Sequence, residues 1–91
     1  MQMKEIYAGE YFKVKEVILS SGQVMPDHRA DSDAFVFVKR GKGKLVFSDS
    51  ESELTQGSSI FIPANKVHRL EIAEDFNACV VFEKDGEIEF L

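Results

Sequence analysis

With a single cysteine, Cys79, in its 91 residues, the chain cannot form an intramolecular disulfide. Tryptophan is absent and proline occurs only twice, so no Pro-rich linker or low-complexity segment divides it, and residues 1–91 are expected to form one domain. At that length only roughly 60–65% of the unfolded surface can be buried, which makes for a thin core. No apolar run approaches transmembrane length, and Met1-Gln2-Met3-Lys4-Glu5 has no apolar stretch of the secretory kind. These absences predict a cytoplasmic protein that does not engage membranes. Basic residues are also in the minority, 11 against 16 acidic for a net charge of −5. Nothing therefore draws the chain to phosphate backbones or anionic lipid, and nucleic acid is excluded as an expected partner. The one basic cluster, Lys39, Arg40, Lys42 and Lys44, straddles Gly41-Lys42-Gly43 and reads as a solvated hairpin tip.

Helical periodicity is missing as well. Apolar residues alternate or run in short blocks closed by turn residues, which predicts an all-β chain. Strands are expected near Tyr11–Leu19, His28–Ala30, Ala34–Lys39, Lys44–Phe47, Ser52–Thr55, Ser58–Ile62, His68–Ile72 and Phe76–Phe82, with a tail strand near Glu87–Leu91. The turns between them, such as Ser20-Ser21-Gly22, Gln56-Gly57 and Pro63-Ala64-Asn65, tolerate positive φ or cap with side chains. Their short, regular spacing favours an antiparallel sandwich or barrel.

Two strands lack the alternation that one wet face would impose. Ala34-Phe35-Val36-Phe37-Val38 and Ile60-Phe61-Ile62 are apolar throughout, so both faces call for cover. If the even positions of the first face inward, Phe35 and Phe37 face outward beside Phe61. A homodimer through Phe35, Phe37 and Phe61 is the expected cover, ahead of a layer supplied by the N-terminal strand.

The two histidines, His28 and His68, fall in two spaced motifs. The first places Gly22, then His28 after five residues, Ala30 after one more, Ala34 after three and Gly41 after six. The second places Gly57, Pro63 after five residues, Asn65 after one, His68 after two and Ile72 after three. This frame resembles that of small single-domain cupins, in which Ala30 would be a second histidine, Ala34 a glutamate, Asn65 a glycine and Ile72 an asparagine. Asn65 is a mild departure, because Asn is the best non-Gly residue for left-handed backbone. The resemblance implies a cupin-type double-stranded β-helix, that is, a jelly-roll barrel of antiparallel strands, with a degenerate metal-binding motif.

In that family a divalent metal is held by three imidazoles and one carboxylate, and only His28 and His68 remain on matched positions. Zinc sites of the catalytic type keep three protein ligands, and non-haem iron takes two His plus a carboxylate. Asp27, Asp31, Asp33 and Glu71 have the wrong strand parity to supply it. No cofactor is firmly implied beyond a weakly bound divalent ion on His28 and His68. Alanine at two ligand positions leaves a wider apolar cavity, lined by Ala30, Ala34, Val36, Val38 and Leu70, with His28 and His68 as anchors for a small molecule. Arg29 and Arg69 are weaker candidate anchors, since residues adjacent to the histidines should point to the outer face. The expected function is small-molecule binding in the barrel; the alternative is a metal-dependent enzyme of the dioxygenase, isomerase or decarboxylase type using His28 and His68. No catalytic residue stands out, and the fold itself licenses no reaction.

Overall fold

The computed structural model describes residues 1–91 and contains eight strands and no helix. In chain order they are β1 (Gln2–Ala8), β2 (Phe12–Leu19), β3 (Val24–Ala30), β4 (Ala34–Phe47), β5 (Glu51–Thr55), β6 (Ser59–Ile62), β7 (His68–Glu83) and β8 (Ile88–Phe90). β4 and β7 pair antiparallel from Ala34↔Phe82 to Phe47↔His68, and every other strand hangs from this long pair. Their first and second halves lie in different layers, because the register slips repeatedly between Val38 and Gly43 and bends both strands. One half-sheet therefore reads β1-β2-β7-β4-β6 and the other β8-β3-β7-β4-β5.

Period-two burial follows directly from the sequence. Along β4, Ala34, Val36 and Val38 are buried whereas Phe35 and Phe37 are each 46% exposed, as the parity argument requires. Phe76 and Leu19, each 1% exposed, centre the core between the half-sheets.

The structure corrects the sequence reading in three ways. The expected barrel is not closed: β1, β5, β6 and β8 each pair on one side only, so the fold is a single curled antiparallel sheet. Gly41-Lys42-Gly43 is not a hairpin tip but a bulged bend inside one continuous strand, and β7 likewise runs through the gap expected at Ala73–Asp75. The three lysines there face neighbouring carboxylates, Lys39 facing Glu16 at 3.1 Å, Lys42 facing Glu74 at 4.0 Å and Lys44 facing Glu51 at 3.5 Å. The third correction is β1, a strand the alternation test passed over because its side chains are nearly all solvent-facing. It extends its half-sheet in plane beside β2 and does not cover Phe35, Phe37 or Phe61.

Candidate functional site

His28 on β3 and His68 at the start of β7 are direct cross-strand partners. Their ring centroids lie 4.1 Å apart at 63°, and each residue is 6% exposed. The local sequence fixes both rings in the same manner. Pro26 has no N–H to give to a ladder, and the β3–β7 register slips between Met25 and His28. The Pro26 carbonyl meets the Nδ1 of His28 at 2.7 Å, and two residues before His68 the Lys66 carbonyl meets its Nδ1 at 2.8 Å. A carbonyl oxygen only accepts, so the hydrogen of each neutral ring sits on Nδ1 and its lone pair on Nε2.

Both rings line a cavity of about 60 Å³ between the half-sheets, where they are the only two of 17 lining residues that are not hydrophobic. Ala30, Ala34, Val36 and Leu70 line it with them. Val38, fully buried, lies outside the lining. Eleven residues the sequence reading had not placed at the site also line it, among them Phe76 from β7, Met3 from β1 and Ile88 from β8. Phe76 shares the parity of His68 and Leu70 along β7, but the break expected at Ala73–Asp75 put it on a separate strand, so that parity gave no signal in the sequence. Met3 carried none either, because β1 itself was not recognised.

Three of the four candidate carboxylates are occupied elsewhere, and the fourth, Asp27, is exposed and does not line the cavity. Asp31 Oδ1 accepts from the Glu87 backbone N–H at 2.8 Å, and Asp33 Oδ1 from that of Ala64 at 2.9 Å. Glu71 accepts from Arg69 Nε at 2.7 Å, and Arg29 faces Glu89 at 3.4 Å. Both arginines thus lie outside the cavity, as parity demanded. Asn65 takes φ 66°, the left-handed conformation expected of it.

The family profile described as cupin domain matches residues 15–83. The chain belongs to the cupin domain family. Among solved structures this cupin is similar to a conserved protein of unknown function from Streptococcus pyogenes, at 24% identity over 91% of this chain and 75% of that one, with a TM-score of 0.78. It is also similar to KdgF from Halomonas sp. (19% identity, 91% and 79% coverage, TM-score 0.83) and to the polyketide cyclase RemF from Streptomyces resistomycificus (19%, 98% and 69%, TM-score 0.84). Likeness at these identities speaks to fold alone. No curated protein matches the chain.

The residues of this cupin do not fit the metal its family implies. No group of three or more His, Cys, Asp or Glu side chains is arranged to hold an ion, and alanine methyls stand at the other two ligand positions of the lining. Two imidazoles leave too few donors for a retained site.

Burial holds both imidazoles below their ordinary titration range, because removal from water opposes the charged ring. This outweighs the support that the charged form receives from the Pro26 and Lys66 carbonyls and from Asp27, and at His28 the neighbouring His68 adds to the depression. The unfolded chain, with histidines near 6.5, then binds protons that the folded one refuses. Stability contributed by keeping the rings neutral is complete above about pH 6.5 and is lost as pH falls below it, by at most about 1.4 kcal/mol per pH unit for each ring. Urea midpoints should therefore fall between pH 7 and 5 in the native protein and fall less in His28→Gln/His68→Gln. Equal slopes for the two proteins would mean that the rings ionise freely in the fold.

Proposed function

We propose that the protein is a small-molecule-binding module, residues 1–91 acting as one unit around the cavity, with His28 and His68 as its polar anchors. One observation carries this reading: the only two polar side chains of an otherwise apolar cavity stand side by side in it. Such a lining, with few convergent polar groups, is the usual composition of a ligand site. Its resting size bounds the occupant, since an aromatic ring requires about 150 Å³ against the 60 Å³ present. A ring or a sugar enters only if the wall moves, and Ile88 on the three-residue β8 is the least anchored part of that wall. A fragment screen read by methyl NMR should give saturable shifts at Val36, Leu70 and Ile88, and Ala34→Phe, which fills the space, should abolish them. Shifts that persist in Ala34→Phe would place binding elsewhere. The half-buried, unpaired Cys79 suits a reducing compartment such as the cytoplasm.

A homodimer through the outer face of the first half-sheet belongs to the same proposal. Phe61, Phe35, Val81, Val14 and Tyr7 form one cross-strand row over five strands. Of these, Phe61, Phe35 and Tyr7 are 55%, 46% and 51% exposed, with Phe37 and Phe12 beside them. Full burial of an exposed Phe contributes roughly 1.5–3 kcal/mol and about half of each ring remains to be buried here, so the whole row from both subunits is needed to offset the entropy of association. Light scattering coupled to gel filtration should give about twice the chain mass, and Phe35→Asp/Phe37→Lys should shift it to the monomer. A monodisperse native monomer at micromolar concentration would refute the dimer.

A further inference from the structure

We propose that the cavity selects small uncharged molecules that bring their own hydrogen-bond donor, alcohols being the chemical class, and rejects anions. The inference rests on the small-molecule reading above and adds the polarity of the ligand to it. The Pro26 and Lys66 carbonyls hold the ring hydrogens on Nδ1, so each histidine offers the cavity an Nε2 lone pair and no N–H. No other lining residue supplies a donor, since the remaining 15 are hydrophobic. A carboxylate brings acceptors only, and would give up its hydration with no N–H to replace it.

The nearby cations are turned to other partners and do not line the cavity. Arg29 faces Glu89 at 3.4 Å, Arg69 binds Glu71 at 2.7 Å, and Lys66 Nζ lies 4.2 Å over the Phe47 ring. An alcohol answers both requirements, its O–H donating to an Nε2 while its alkyl body meets the apolar wall. Scaled against the roughly 150 Å³ that accepts benzene, the 60 Å³ cavity holds about two to three non-hydrogen atoms. At that size dissociation constants are millimolar at best.

The test uses the labelled full chain at pH 7.5, with imidazole nitrogens and lining methyls followed by NMR. Both rings should show hydrogen on Nδ1 and a bare Nε2. Ethanol should shift at least one Nε2 together with the Val36 and Leu70 methyls, saturably. Xenon should shift the methyls alone, and formate, of the same atom count as ethanol, should shift neither. Formate binding as well as ethanol, with protonation of the rings, would overturn the proposal, as would a ring found with its hydrogen on Nε2. If xenon enters and ethanol binds without moving either Nε2, the donor rule fails while the cavity reading stands. If neither xenon nor ethanol reaches the methyls, the cavity reading itself fails and takes the proposal with it.

Discussion

Alanine in place of Gly41 should destabilise the protein by about 4 kcal/mol or more, a large share of the roughly 5–14 kcal/mol available to a domain of this size. Two effects combine there. Gly41 takes φ +96°, and a Cβ on it would run into the Asp75 carbonyl oxygen and stand 2.8 Å from the Phe76 Cα. Left-handed backbone alone costs an L-residue about 1–2 kcal/mol. The contact adds more, because the atoms it meets are backbone and cannot swing aside. Gly22→Ala is the control: its φ is +84°, with nothing within 4 Å of the added Cβ, so only the conformational cost applies. Urea unfolding should separate the two variants clearly. If Gly41→Ala lost no more than Gly22→Ala, the β4 and β7 bends would not be nested as described.

The second large effect is expected at Phe76, 1% exposed and part of the cavity wall. Truncation of a buried Phe to Ala costs about 3–5 kcal/mol, rising with the volume left unfilled. Here the new void merges with an existing one, which the surrounding strands already fail to close, so the loss should fall in the upper part of that range. The space gained is that of a phenyl ring. Benzene should therefore raise the unfolding midpoint of Phe76→Ala by binding the folded state, and leave the native protein unmoved. Collapse of the site would show as a smaller loss of stability and no response to benzene.

How far the sequence revealed these features depended on the physics of each. Parity along β4 was readable because Ala34, Val36 and Val38 alternate with bulky Phe35 and Phe37, and the exposures follow that alternation. That His28 and His68 share one cavity followed from the resemblance to the cupin motifs, and Asn65 declared its backbone by being the non-Gly residue that adopts φ 66° most readily. The continuity of β4 and β7 was not readable. Gly41-Lys42-Gly43 looks the same whether the chain reverses or merely bends, and only the partner strand, 34 residues away in the contact of Gly41 with Asp75, decides between them. β1 was hidden for a different reason: its ladder is backbone to backbone with β2, and its side chains bury too little to leave an alternating trace. The tautomer of the two histidines depends on carbonyls at Pro26 and Lys66, geometry that no residue type announces.

An open curl has a liability that a closed barrel would not: four lines of unsatisfied N–H and C=O groups along β1, β5, β6 and β8, each a template on which another chain could align. Three of them carry charges that make such alignment costly, Lys4 and Glu5 on β1, Glu51 and Glu53 on β5, and Glu89 on β8. β6, Ser-Ile-Phe-Ile, carries none. Its protection is brevity, four residues ended by Pro63, whose missing N–H stops the ladder from being extended. It also presents Phe61 to solvent beside Phe35. Of the four margins, this is the one where guarding against misassembly depends most on how the neighbouring apolar face is covered.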